Sequence, residues 1–96
     1  MMRNILCYGD SNTFGTDPVH GGRHPREARW TGVLQELLGD GYRVIEEGLG
    51  GRTTVFDDAL SEGRNGAQTL YPCIASHNPL DLIVIMLGTN DLKHRF

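Results

Sequence analysis

Leu82-Ile83-Val84-Ile85-Met86-Leu87 runs straight into Gly88-Thr89-Asn90-Asp91. The first six residues are apolar without alternation, so neither face is marked for solvent. A strand covered on both faces has this pattern, and parallel sheets between helices contain such strands. Two shorter runs upstream end the same way. Ile5 to Tyr8 stops at Gly9-Asp10, and Tyr42 to Glu46 leads into Gly48-Leu49-Gly50-Gly51. Each reads as a strand closed by a glycine turn.

The segments between them read as crossovers. Trp30, Val33, Leu34, Leu37 and Leu38 recur at helical spacing, and Gly39-Asp40-Gly41 ends that helix. Ala67 to Ser76 is expected to form a short helix despite Pro72, and Asn78-Pro79 breaks the chain after it. Asn12 to Arg29, with Pro18, Gly21, Gly22 and Pro25, reads as a long loop, as do residues 55 to 66. Two successive strand-helix-strand units predict an α/β fold, a three-layer parallel sheet. The expected order is second, first, third strand, as in the opening half of a flavodoxin-like sheet.

With 96 residues the chain makes one domain at most. Its 13 glycines are about twice the usual ~7 % share, which suits a fold that turns tightly at strand ends. The formal net charge is −3 with the charges dispersed, so neither nucleic acid nor an anionic membrane is expected as partner. No apolar run approaches the ~20 residues of a spanning helix. The amino terminus lacks a signal-peptide pattern, and a cytoplasmic location is expected. Cys7 and Cys73 have no metal-site spacing and are expected to be reduced and buried.

Parallel strands share a carboxyl edge, and open α/β sheets bind ligands there. Gly9-Asp10-Ser11, Gly48-Leu49-Gly50-Gly51 and Gly88-Thr89-Asn90-Asp91 all fall on it. Ser11 offers a hydroxyl nucleophile, Gly51 a backbone N–H and Asn90 a side-chain amide. A nucleophile with converging donors is what a tetrahedral oxyanion requires. A phosphate- or flavin-binding module is the alternative. There Ser11-Asn12-Thr13-Phe14-Gly15 would cradle a phosphate, but Gly51 and Asn90 would have no role.

These blocks resemble the first three of the SGNH (GDSL-type) hydrolase family. Ile5 to Ser11, Arg29-Trp30-Thr31-Gly32-Val33-Leu34, Val44 to Leu49 and Ile85 to Asp91 are similar to its bacterial arylesterase/acyltransferase branch. The resemblance spans residues 1–96 but only about the amino-terminal half of a member. It implies a small ester as substrate, an acyl-enzyme at Ser11 and no metal or organic cofactor. It also implies an oxyanion hole formed by the N–H groups of Ser11 and Gly51 with the Asn90 side chain, and a bracing role for Asp10. The family's base is a histidine in a late Asp-x-x-His block, which is expected to be missing from these residues. A serine without a base is a poor nucleophile, so little turnover is expected of this chain alone. His20, His24 and His94 read as solvated loop residues, and His77 as a helix-end residue. An apolar edge strand recruits other chains, so a homo-oligomer or a separate carboxyl-terminal half is expected beside it.

The remaining polar residues have plainer expectations. Arg52 offers a cation for an anionic substrate, with a structural salt bridge as the simpler role. Trp30 reads as core packing at a helix start. Asp91 either orients its loop or caps a turn. Glu46 and Glu47 point to opposite faces and cannot form a joint site. Asp57-Asp58 reads as a solvated loop.

Overall fold

In the computed structural model, which describes residues 1–96, three parallel strands form one sheet. They are β1 (Arg3–Gly9), β2 (Tyr42–Gly48) and β3 (Leu82–Met86), in the order β2-β1-β3. The register sets Cys7 beside Glu46 and Val84, and Gly9 beside Gly48 and Met86. All three carboxyl ends are therefore level. The helices are α1 (Ser11–Phe14), α2 (Trp30–Leu38) and α3 (Gly66–His77). No helix is long and apolar enough to cross a membrane.

Alternation along β1 sorts the layers. Ile5 and Cys7 join Val44 in a buried cluster, covered by Trp30, Leu34 and Leu38 of α2. Their spacing in the helix is i, i+4, i+8, one continuous stripe. Leu6 and Tyr8 are equally buried on the opposite face. There the Tyr8 hydroxyl donates to Gly66 O at 2.7 Å and shares a 2.6 Å bond with Thr69 Oγ1, fixing α3 on the sheet. The outer side of β2 has no strand neighbour. Gln35 serves instead, accepting from Val44 N–H at 2.7 Å and donating to Tyr42 O at 2.7 Å. Its primary amide reproduces the donor–acceptor pair of a peptide group.

The structure corrects several sequence expectations. The strand at residues 82–86 is not covered on both faces. It lies at the sheet edge, as the expected strand order has it, but with Leu82 53 %, Ile85 54 % and Met86 41 % exposed. The stretch from Asn12 to Arg29 is not all loop. Ser11–Phe14 is helical, Arg26–Ala28 forms a 3₁₀ turn, and Thr16 bridges Arg23. A four-residue helix is too short to show a period. Asp58 is buried rather than solvated. It accepts from Lys93, Arg95 and the Leu60 N–H, and Arg95 above all holds its carboxyl well below the usual carboxylate range. Phe96 stacks on Phe56 beside this cluster, with centroids 5.1 Å apart.

Glu46 and Glu47 do point to opposite faces. Glu46 meets Arg26 at 2.6 Å, Arg29 at 3.0 Å and the Thr31 hydroxyl, whereas Glu47 meets His77. Burial would raise the Glu46 carboxyl, but Thr31 and the two arginines outweigh it and leave it lowered. Cys7 and Cys73 are free thiols on opposite faces of the sheet. Cys73 is only half-buried, contrary to expectation. Burial, reinforced by Glu46 and Glu47 respectively, pushes each up to about 11, so both are protonated at neutral pH.

Candidate active site

Asp10 ends β1 and caps α1. Its carboxylate is buried and accepts the Asn12 N–H at 3.0 Å, while its carbonyl accepts from Thr13 and Phe14. This fixes the turn that carries Ser11. The Ser11 N–H lies in the first helical turn, where no intrahelical acceptor exists. Thr13 is buried beneath it, and its hydroxyl accepts from Trp30 Nε1 at 3.3 Å. Trp30 thus packs against the core and braces this turn. The turn also needs Gly48 across from it. A Cβ there would come within 2.2 Å of Phe14 N.

Gly51 has φ +81, a left-handed conformation natural to glycine. Its N–H meets no backbone or side-chain acceptor of the protein. Arg64 Nε and Lys93 Nζ each stand 3.5 Å from where its Cβ would be, so two cations flank this turn. Asn90 follows β3 in a 3₁₀ turn, Thr89–Leu92. Its Nδ2 donates to Arg52 O at 3.1 Å, which orients the amide and uses one of its two hydrogens. Asp91 orients the same loop by accepting from Thr54 N–H at 2.9 Å and from the Thr54 hydroxyl.

Arg52 joins the three segments. It is 6 % exposed and makes no salt bridge, against the sequence expectation. Its Nη1 donates to Glu47 O at 2.7 Å and to Gly9 O at 3.1 Å, and its guanidinium lies 4.0 Å over the Tyr8 ring. Gly9 O also accepts the Leu49 N–H at 3.1 Å. The carbonyl just before Asp10-Ser11 is therefore held by the Gly51 segment, and that segment's own carbonyl is held by Asn90. Ser11, Gly51 and Asn90 lie on one edge, linked through Arg52. They do not line a cavity, however. One cleft, about 180 Å³, lies between α3 and β3 and is lined by Tyr8, Thr54, Gly66, Leu70, Ile85 and Leu87, and a wider one, about 420 Å³, is lined by Met2, Gln35, Asp40, Tyr42 and Arg43.

Comparison with known proteins decides what kind of edge this is. The sequence profile of the GDSL-like lipase/acylhydrolase family matches residues 7–96. The chain belongs to that family. Several solved structures are similar to this GDSL-like chain. A carbohydrate acetylesterase from Sinorhizobium meliloti is 52 % identical, with TM-score 0.95 over 98 % of this chain and 46 % of its own. The native aryl esterase of M. smegmatis is 52 % identical, with TM-score 0.90 over 93 % of this chain and 43 % of its own. A more distant SGNH-hydrolase family esterase is 26 % identical, with TM-score 0.65 over 95 % of this chain and 42 % of its own. No curated protein matches the chain. The GDSL-like chain thus spans less than half the length of the solved relatives it matches. Esterase neighbours on this scale do not favour the flavin- or phosphate-binding alternative.

Two strings in this GDSL-like chain do have the Asp-x-x-His spacing, contrary to the expectation that none is present. They are Asp17-Pro18-Val19-His20 and Asp91-Leu92-Lys93-His94. Asp17 accepts the His20 and Val19 N–H groups, which lower its carboxyl, and meets His20 Nδ1 at 3.2 Å. That makes a closed loop turn, and the His20 side chain is 82 % exposed. Asp91 is committed to Thr54, and His94 is exposed. His24 lies 3.8 Å from Asp17, and His77 pairs with Glu47 on the α3 side of the sheet. Each histidine thus has a structural or solvated setting of its own. The sequence reading missed Arg52 as the link and Arg64, Lys93 and Asp58 as the charged surround of Gly51. An arginine directly after a glycine turn was the available signal for the first.

Proposed function

We propose that this chain supplies the nucleophile and oxyanion donors of a serine ester hydrolase. Support comes chiefly from the Gly51 N–H, which is presented without a protein acceptor on the edge that Arg52 and Asn90 tie to the Ser11 turn. In this reading Ser11 Oγ attacks the carbonyl carbon of a small carboxylic ester. The carbonyl electrons move onto oxygen, which rests on the Ser11 and Gly51 N–H groups and Asn90 Nδ2. Collapse of the adduct expels the alcohol and leaves an acyl group on Ser11. Water or a second alcohol then removes it, giving hydrolysis or acyl transfer. Such donors act where charge develops, and each is worth about 100- to 1,000-fold in rate. Asp10 holds the turn and takes no part in bond making.

Ser11 must lose its proton to a base, and no histidine of this chain is positioned for that by its partners. The base is assigned to the half of the family fold that the chain does not span, together with the walls of the acyl pocket. The exposed β3 edge is where that half, or a second copy of this chain, would pair. Acetyl esters of sugars or aryl alcohols are the substrates suggested by the similar esterases. The test is p-nitrophenyl acetate hydrolysis by this chain alone and by this chain continued with the carboxyl-terminal half of the S. meliloti acetylesterase. Turnover is expected only from the joined chain. Robust turnover by a monomer of 96 residues would refute the assignment of the base.

A further inference from the structure

Glu47, Cys73 and His77 form a cluster that ester chemistry does not use. Glu47 lies next to the end of β2, and Cys73 and His77 are four residues apart on α3. That spacing stacks the two side chains on one helix face, one turn apart. A Glu47 carboxylate oxygen, Cys73 Sγ and a ring nitrogen of His77 all lie within 4.8 Å of one another, and each residue is half-buried. His77 Nε2 is 2.8 Å from Glu47 Oε1. A tetrahedral zinc ion with bonds of about 2.0–2.3 Å sets its donors roughly 3.3–3.8 Å apart. The His77–Glu47 pair is closer than that and no pair is farther apart than 4.8 Å, so small rotations of these half-buried side chains bring the donors onto it.

The donor set also selects the ion. Calcium and magnesium take oxygen ligands, whereas thiolate with imidazole suits zinc and its neighbours. We propose that Glu47, Cys73 and His77 bind one divalent transition-metal ion of the zinc class and so clamp α3 to the end of β2. Three bonds form, from Sγ, Nε2 and a Glu47 oxygen. The thiol S–H breaks, and its proton leaves to solvent. The Nε2–H that faces Glu47 gives its proton to solvent while Nδ1 takes one up, so the neutral imidazole binds through Nε2, and water fills the fourth position. Two anionic donors then balance the dication, leaving a neutral centre that suits a half-buried place. The site adjoins the proposed ester site through the backbone, because Glu47 O accepts from Arg52 Nη1.

The test titrates the metal-free chain with cobalt(II), reading thiolate-to-cobalt charge-transfer absorption, and then displaces cobalt with zinc. Saturation is expected at one ion per chain. Cys73→Ser should abolish the band and Cys7→Ser should keep it. His77→Gln and Glu47→Gln should each weaken binding at least as much as the roughly 10- to 100-fold that loss of an outer partner costs. X-ray absorption of the zinc-loaded chain needs no variant, and is expected to show one sulfur at about 2.3 Å. Absence of the cobalt band, its survival in Cys73→Ser, or a zinc shell of nitrogen and oxygen alone would overturn the proposal.

Discussion

Replacing Arg52 with methionine removes the group that joins the three strand-end segments while keeping much of its apolar bulk. Two hydrogen bonds from a charged donor are lost, to Gly9 O and Glu47 O, each worth about 1.5–3 kcal/mol. The guanidinium over the Tyr8 ring, at 4.0 Å, adds about 2 kcal/mol when desolvated. Two features offset this. Arg52 Nε is buried without a partner, a cost of about 1–3 kcal/mol that methionine relieves. Gly9 O also keeps the Leu49 N–H. The net loss expected is about 3 kcal/mol, given these opposing magnitudes. With a urea slope of about 1–3 kcal/mol per molar, the unfolding midpoint should fall by roughly 1–3 M. Arg52→Lys reaches one carbonyl at most and should lose about half as much. A midpoint in Arg52→Met within about 0.3 M of the parent, at unchanged slope, would refute the assignment of Arg52 as the link.

Asn90→Ala in the joined chain should lower kcat for p-nitrophenyl acetate by roughly 100- to 1,000-fold with little change in KM, since in the proposed mechanism the lost donor serves the developing oxyanion. Asp58 is ionised more readily in the fold than in the unfolded chain, so its stabilisation is present above the unfolded pKa of about 4 and is lost as pH falls through the lower folded value. Asp58→Asn should therefore lower the melting temperature at pH 7 and flatten its decline below about pH 4; an unchanged acid limb would contradict this. Both thiols, held up to about 11, should react slowly with a disulfide reagent at neutral pH in the folded chain and fast in denaturant, and the intact mass should show no loss of two hydrogens.

The sheet was readable because β1 and β3 carry apolar runs that lead into glycine, and the mixed stretch of β2 leads into Gly48-Leu49-Gly50-Gly51. The crossovers implied parallel strands, their order came from likeness to the opening half of a flavodoxin-like sheet, and the level carboxyl ends follow from the parallel register. The edge position of β3 follows from the expected order, but its exposed faces do not, since a run such as Leu82 to Leu87 specifies apolar surroundings and not which segment provides them. Ser11, Gly51 and Asn90 could be placed on one sheet edge because each follows a strand. Asp58 was misjudged because its burial is made by Lys93 and Arg95, which lie 35 and 37 residues away. Arg52 was misjudged because backbone carbonyls, which leave no mark on composition, are its partners. His77 was placed correctly at a helix end, yet its pairing with Glu47 needed the register of β2 against α3.

The central claim is that Ser11 is the nucleophile. A fluorophosphonate reacts with an activated serine and leaves a stable adduct whose position peptide mass spectrometry reads directly. Applied to the joined chain, it is expected to label Ser11 stoichiometrically, with labelling and ester turnover both abolished in Ser11→Ala. Turnover that persists in Ser11→Ala, with the adduct on another residue, would contradict the account.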